Sequence, residues 1–289
     1  MYVPSATSPE PHPSPRKPRS PFPPKSTDSH CHVFGPGDRY PYALDRGFTP
    51  RDAPREALAA IHAHLGIERA VLVQASSNGY DHETIIDAIA EGSRELRGIA
   101  LIHEEMGQAF LQHLDDSGFR GFRVLPPKDG VPSLARTQAL LAAVRPFGWH
   151  AQFLINRRGI AEFAELIDRL DGPVVIDHMA DVDLRHGARE EDVDTVRRLL
   201  DSDRVWLKIS CAERLSATGA PYEDAAALGA VFVAHRPDRI LWGTDYPHVN
   251  MDGSAPDDGL LADLLLDMAP TEADRQRILV DNPARLYRF

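Results

Sequence analysis

The sequence has few of the features that mark secreted, membrane-spanning or nucleic-acid-binding proteins. Its two cysteines, Cys31 and Cys211, are too few for a disulfide framework, which favours a reducing compartment. A formal net charge of −11 argues against nucleic acid as a partner, because phosphate binding needs a basic surface. No apolar run approaches the roughly 18 residues that span a bilayer, and the N-terminus lacks the apolar core of a secretory signal. We therefore expect a cytoplasmic protein without a membrane or nucleic-acid partner; the oligomeric state is not predicted.

Two sequence motifs of other enzyme classes are also missing. There is no GxSxG sequence, so the serine nucleophile of the α/β-hydrolases is excluded. The first strand-like segment is not followed by a glycine-rich turn of the kind that binds dinucleotide phosphates in doubly wound sheets. Any hydrolytic chemistry must therefore use residues other than a serine at such an elbow.

Proline is abundant in one place only. Residues 1–25 contain nine prolines and more basic than acidic side chains, so this segment favours extended conformations and has little apolar surface to bury. We expect a flexible or surface-wrapping N-terminal arm over residues 1–25, followed by a single catalytic domain over residues 26–289.

Within that domain, apolar segments rich in β-branched residues alternate with amphipathic segments of helical period. The strand-like segments lie at about 27–34, 69–75, 96–102, 119–125, 149–156, 173–179, 205–211 and 239–245. Helical segments include 81–91, 134–144, 160–170, 192–200 and a closing helix at 271–279 that Thr271 should cap. Eight strands alternating with helices, without hairpin turns, predict an α/β fold: a parallel (β/α)8 TIM barrel.

Ionisable side chains stand at the ends of three of these strand-like segments. His30 and His32 are two residues apart in an extended segment, His178 ends the sixth segment, and Asp245 ends the eighth. The carboxyl ends of barrel strands meet at one rim, where active sites of this fold lie. We therefore expect these four residues to converge.

Strand alternation also predicts which side chains point into the barrel. By this rule Arg123 shares a face with Gly121, His178 with Val174 and Ile176, and Asp245 with Leu241 and Gly243. Arg123 and Arg214 at the rim favour an anionic substrate, because guanidinium matches carboxylate geometry. Lys208, unusual in an apolar strand, is expected to pair with a carboxylate at the rim. Cys31 should face away from the cavity, and Cys211 is expected to be inert because no base is evident near it.

A set of short sequence stretches over residues 28–289 resembles the amidohydrolase superfamily, in the branch that contains the 2-pyrone-4,6-dicarboxylate lactonases. The stretches begin with Asp28-Ser29-His30-Cys31-His32 and continue with Gly121-Phe122-Arg123, Asp177-His178-Met179, Glu213-Arg214-Leu215-Ser216 and Trp242-Gly243-Thr244-Asp245-Tyr246-Pro247-His248. The resemblance implies catalytic roles for His30, His32, His178 and Asp245. It implies substrate binding by Ser76, Arg123, Arg214 and Asn250, and His248 either lines the pocket or caps its loop.

The resemblance implies a hydrolase that opens a carboxylated lactone or pyrone-type ring, with a small anionic substrate. Asp245 is the expected general base for water, and the three histidines polarise the carbonyl. The same four residues are alternatively the ligands of one divalent metal ion, zinc or manganese, because relatives work either without metal or with one of these ions. Two other functions stay open: a metal-dependent decarboxylase of the same superfamily, and a barrel that binds a ligand without catalysis.

Four positions depart from the dicarboxylate lactonase pattern. Asp129 and Asp181 stand where that branch carries arginines. Phe48 stands where it carries one tyrosine, and Leu154 or a neighbouring residue stands where it carries another. Aspartates in place of cationic contacts oppose a dianionic substrate by like-charge repulsion. The sequence therefore predicts a related lactone with fewer, or differently placed, carboxylates.

Overall fold

Short apolar runs form the parallel strands at the centre of the protein. The structure is a computed structural model, and it describes residues 8–92, 95–127, 130–155, 159–249, 251 and 253–289. Within these residues each strand pairs in parallel with the next one in the chain. The strands are β1 (Thr27–Cys31), β2 (Arg69–Val73), β3 (Glu95–Ala100), β4 (Phe119–Val124), β5 (His150–Phe153), β6 (Val174–Ile176), β7 (Val205–Ile209) and β8 (Ile240–Trp242).

The sheet closes between β8 and β1 through hydrogen bonds just beyond the ends of both strands. The amide of Asp245 donates to the carbonyl of His30 at 2.8 Å, and the amide of His32 donates to the carbonyl of Tyr246 at 2.8 Å. These bonds bring the segments that carry three predicted site residues side by side. The predicted (β/α)8 TIM barrel is confirmed.

Helices cover the outside of the barrel. They are α1 (Arg55–Leu65), α2 (Glu83–Ala90), α3 (Gln108–Asp116), α4 (Leu134–Val144), α5 (Ile160–Asp168), α6 (Glu190–Leu200), α7 (Ala212–Leu215), α8 (Glu223–His235), α9 (Asp258–Met268), α10 (Glu272–Gln276) and α11 (Asn282–Tyr287). Thr271 caps α10 as predicted, its hydroxyl accepting from the amide of Asp274 at 3.1 Å. In the described part of the chain, no helix is long and apolar enough to cross a bilayer.

Two apolar layers hold the barrel together. Side chains on the outer face of the strands, such as Leu72 and Ile176, pack against the helices. A smaller cluster fills the interior and includes Val71, Val175 and, from α11, Tyr287. Since Tyr287 is fully buried among these residues, the lower part of the barrel is a packed core. The polar site therefore lies above it, at the carboxyl ends of the strands.

The described part of the N-terminal arm, residues 8–25, lies against the barrel. The Arg16 guanidinium pairs with Asp257 at 3.2 Å, the amide of Arg19 donates to Asp263 at 2.6 Å, and the Phe22 ring meets Trp242 edge-on at 5.2 Å. These contacts fasten the arm to the first turns of α9 and to the end of β8. The flexibility of the arm and its separation from the barrel domain remain predictions.

Deletion of residues 1–25 is expected to leave the barrel folded and the turnover number within about twofold. The described arm residues, 8–25, contact α9 and β8 rather than the predicted site residues, and ion pairs of exposed arginines contribute little stability. The expected cost is a fall of a few degrees in Tm, since Trp242 loses its Phe22 cover. Calorimetry and steady-state kinetics on the truncated chain test this. Loss of cooperative unfolding would show that the arm is part of the barrel's core.

Candidate active site

Asp28 fixes the segment that carries the first two histidines. Its Oδ1 accepts from the amides of His30 and Thr244, both at 3.0 Å, and its Oδ2 accepts from the Thr244 hydroxyl at 2.5 Å and from His62 Nε2 at 3.0 Å. One buried carboxylate thereby joins the end of β1 to the end of β8 and to α1. This junction sets the positions of His30, on β1, and of Asp245, which follows Thr244.

The rings of His30, His32 and His178 are each oriented by a contact at Nδ1. Their partners are Asp177 Oδ1 at 3.2 Å for His30, the Val73 carbonyl at 2.7 Å for His32, and Ser210 Oγ at 2.8 Å for His178. A carbonyl only accepts, so His32 donates through Nδ1. All three Nε2 atoms are consequently turned toward one point.

That point is the Asp245 carboxylate. Its Oδ1 lies 3.5 Å from His30 Nε2, 3.4 Å from His32 Nε2 and 3.9 Å from His178 Nε2. Its Oδ2 forms an ion pair with Arg214. Burial opposes the charged form, but Arg214 and the surrounding imidazoles outweigh it and hold the pKa of Asp245 well below its usual range. Asp245 is therefore a buried carboxylate that stays ionised at neutral pH.

Two of the imidazoles are neutral under the same conditions. Burial, reinforced by the nearby charge of Lys208, lowers the pKa of His30 to about 3. Burial also lowers the pKa of His178 well below the ordinary histidine value. A neutral ring keeps one nitrogen lone pair, which can bind a metal ion, and one N–H, which can donate a hydrogen bond.

His178 reaches the site by a route that strand alternation does not describe. β6 ends at Ile176, and His178–Asp181 then forms a tight turn in which His178 itself has a φ of 54°. Val174 and Ile176 face the helices, whereas Val175 faces the interior. The prediction that His178 shares an inward face with Val174 and Ile176 is therefore wrong, because the chain leaves the strand before His178.

Asp177 and Lys208 form a buried ion pair beneath the histidines. Lys208 Nζ lies 3.2 Å from Asp177 Oδ1 and 3.2 Å from His30 Nδ1, and both charged side chains are completely buried. Gln152 donates to Asp177 Oδ2 at 3.1 Å, and Arg123 lies 3.5 Å from the same oxygen. Burial opposes the charge on Asp177, but Lys208 and His30 outweigh it and keep its pKa well below the usual range. Lys208 thus has the carboxylate partner that the sequence could not identify.

A cavity of about 750 Å³ opens beside this cluster, under the loops that follow β1 to β4. Ser76 and Arg123, both predicted to bind substrate, lie on its wall. Arg214 instead pairs with Asp245, beside the catalytic cluster. Asn250 lies outside the described residues, as does Asp129.

His248 does not lie on the cavity wall. It is fully buried, with Nε2 2.9 Å from Asp258 Oδ1 and Nδ1 3.8 Å from Glu213 Oε1. Burial alone would lower its pKa, but Asp258 and Glu213 raise it to about 10. A charged His248 therefore ties the loop after β8 to α9 and to α7. The structure supports the loop-holding interpretation of this residue rather than direct substrate contact.

The surroundings of Cys211 differ from the prediction. Its Sγ lies 3.0 Å from His178 Nδ1 and accepts from the Arg214 guanidinium at 2.7 Å, so a base is nearby after all. Burial nevertheless raises the pKa of the thiol well above its usual value, which keeps it protonated. Cys31 is buried among apolar residues, with its Sγ 3.6 Å from the Val71 carbonyl.

The donor set fits one divalent metal ion. His30 Nε2 is buried without a hydrogen-bond partner among the described residues, and His30, His178 and Asp245 offer ligand atoms within 4.8 Å of one another. His32 adds an Nε2 lone pair on the same side whenever its ring is neutral. Imidazole nitrogens with one carboxylate oxygen are ligands that zinc and manganese accept. The site residues therefore suit a mononuclear centre as well as direct acid–base chemistry.

Comparison with known proteins gives the family. Residues 27–289 match the sequence profile of the family described as Amidohydrolase, and the chain belongs to that family. It is 38% identical to a 2-pyrone-4,6-dicarboxylate hydrolase from Comamonas testosteroni, over 95% of this chain and 93% of the relative. It is 36% identical to a 4-sulfomuconolactone hydrolase from Rhizobium radiobacter, over 90% of this chain and 89% of that protein. A ligand-free crystal structure from Agrobacterium tumefaciens superposes with a TM-score of 0.84 at 26% identity, covering 94% of this chain and 98% of that one.

Proposed function

We propose that this enzyme hydrolyses the ring ester of a small carboxylated lactone or pyrone. The observation that carries the proposal is the ionised Asp245 carboxylate, with three imidazole Nε2 atoms within 3.9 Å of Oδ1, beside a cavity large enough for such a ring. The curated relatives named as hydrolases of a pyrone dicarboxylate and of a sulfomuconolactone support it, because both of those names describe anionic lactones. We place this activity in the cytoplasmic breakdown of aromatic compounds.

In this mechanism Asp245 is the general base. It accepts a proton from a water molecule as the water oxygen attacks the lactone carbonyl, and a tetrahedral oxyanion forms. The ring C–O bond then breaks, and Asp245 returns the proton to the leaving ring oxygen, so that the product is the open-chain acid. The ion pair with Arg214 keeps Oδ2 fixed, which leaves Oδ1 as the oxygen directed at the water.

The histidines act on the carbonyl oxygen. With the Ser210 hydroxyl donating to Nδ1, His178 carries its proton at Nε2 and donates it as a hydrogen bond to the developing oxyanion. His30 and His32 are held rigidly by Asp177 and Val73, so the pocket needs little reorganisation when charge develops. A zinc or manganese ion, when bound by His30, His32, His178 and Asp245, supplies Lewis-acid polarisation of the same oxygen.

A turnover screen on carboxylated lactones and pyrones tests this function. We expect release of one acid equivalent per ring opened, which a pH-stat records, and no release of carbon dioxide. Carbon dioxide without ring opening would favour the decarboxylase alternative, and binding without any turnover would favour the non-catalytic barrel. Parallel assays after chelator treatment and after addition of zinc or manganese show whether the four-residue centre works with an ion.

The charge of the substrate is the subject of a second prediction. We expect a monocarboxylated lactone to have a higher kcat/KM than its dicarboxylated counterpart, because Asp181 replaces a cationic contact and each close like-charge contact costs on the order of 1 kcal/mol. Arg123→Ala should mainly raise KM, since Arg123 lies on the cavity wall and not beside Asp245. Kinetics on a matched mono- and dicarboxylated pair decide the point. A preference for the dicarboxylate would show that other cations replace the missing arginines.

A further inference from the structure

Among the residues that the structure describes, three arginines lie on the wall of the 750 Å³ cavity: Arg46, Arg123 and Arg136. Two of them already face a carboxylate. Arg136 pairs with Glu104 at 2.8 Å, and Arg123 lies 3.5 Å from Asp177. Arg214, nearer to the catalytic cluster, pairs with Asp245. The charges of these arginines are therefore largely compensated by the protein itself.

Arg46 is different. Across the residues that the structure describes, no carboxylate oxygen lies within 4.0 Å of its guanidinium, although the neighbouring Asp45 also lines the cavity. The side chain is nevertheless fixed in place, because Nε donates to Thr49 Oγ1 at 2.8 Å and one terminal nitrogen donates to the Ala43 carbonyl at 2.9 Å. The second terminal nitrogen remains for a ligand.

The segment that carries Arg46 is itself attached to the rim. The amide of Ala43 donates to the carbonyl of Ser77 at 2.8 Å, which joins the loop after β1 to the turn that holds Ser76. Arg46 is half-buried, is held by backbone and hydroxyl groups, and has no carboxylate partner among the described residues. It can therefore pair with an anion without first breaking an ion pair. Arg123 and Arg136 would each have to share the guanidinium with the carboxylate that it already faces.

We propose that Arg46 is the specificity-determining residue that binds the carboxylate of the substrate. This inference rests on the proposed lactone hydrolysis and assigns one cation to one anionic group. It explains how an enzyme that carries aspartate at position 181, in place of an arginine, still selects an acidic ring. It also assigns different roles to two parts of the site. Arg46 binds the substrate carboxylate, and Asp245 with the three histidines around it carries out the ring opening.

The test compares Arg46→Met and Arg46→Lys with the wild-type enzyme on 2-pyrone-5-carboxylate and on its neutral methyl ester. We expect Arg46→Met to raise KM for the acid about tenfold or more, as loss of a charge-assisted hydrogen bond predicts, with the KM for the ester within about twofold. Arg46→Lys should recover part of the loss. Arg136→Met is the matched control: this arginine lines the same cavity but is paired with Glu104, so it should change neither KM more than about twofold.

Binding of the same two compounds, measured by calorimetry, separates this inference from the proposed function. If the wild-type enzyme binds the acid but does not open the ring, the proposed hydrolysis of this compound class is contradicted. The role of Arg46 can still be tested in that case, by comparing the Kd values of the wild-type enzyme and Arg46→Met. Equal weakening of acid and ester in Arg46→Met, or an equal effect of Arg136→Met, overturns the inference. So does a wild-type enzyme that binds neither compound or that does not prefer the acid.

Discussion

Asp245→Asn is expected to lower kcat for ring opening by at least about 10²-fold, the usual contribution of a general acid–base group. Asparagine keeps the shape of the side chain but cannot accept the proton of the attacking water. The substitution also removes the negative charge that Arg214 and the three imidazoles surround. Single-turnover kinetics on the lactone identified by the screen measure the loss directly.

His178→Ala should lower kcat by a similar factor, because His178 Nε2 is the donor that we assign to the oxyanion. Asp201→Asn and His186→Ala serve as controls, since both side chains are exposed and pair with residues outside the site, His235 and Asp183. Circular dichroism and Tm establish that each variant is folded. Near-normal kcat in either site variant would remove that residue from the mechanism.

The barrel was predictable because its strands and helices differ in hydrophobic period. Each predicted strand is present, but the observed strands end earlier than the predictions: β6 stops at Ile176 rather than at 179, and β8 at Trp242 rather than at 245. The missing ends are the segments that carry His178 and Asp245. In both segments the backbone leaves the sheet, so that the side chains of His178 and Asp245 point toward the site. Hydrophobic periodicity does not show where a strand ends in this way.

The pairing of the site residues was not predictable from one sequence. Asp177 lies beside His178 in the chain, and nothing in the sequence shows that it contacts His30. Lys208 stood out as a charge in an apolar strand, but its partner Asp177 directly follows the neighbouring strand β6, 31 positions earlier in the chain. Arg46 lies on a loop whose path is set by hydrogen bonds to Thr49 and Ala43. Contacts of this kind depend on which side chains face one another in the folded barrel.

The Asp177–Lys208 pair leads to the largest expected change in stability. Lys208→Met should destabilise the protein by roughly 3–5 kcal/mol, because it removes one partner of a fully buried ion pair and leaves the Asp177 carboxylate buried without that cation. Activity should fall as well, since Lys208 and Asp177 meet at His30 Nδ1. Equilibrium unfolding in urea measures the first effect, with Lys17→Met as the surface control.

A double-mutant cycle with Asp177→Asn separates the ion pair from simple packing. If the cost of Lys208→Met comes from an uncompensated buried carboxylate, then Lys208→Met combined with Asp177→Asn should be more stable than Lys208→Met alone, because neither position then carries a charge. Additive losses would mean that each side chain stabilises the barrel independently, through volume and hydrogen bonds. The double variant should still be inactive, because both groups that contact His30 Nδ1 are altered. Restored stability without restored turnover would identify the Asp177–Lys208 pair as positioning residues for the site.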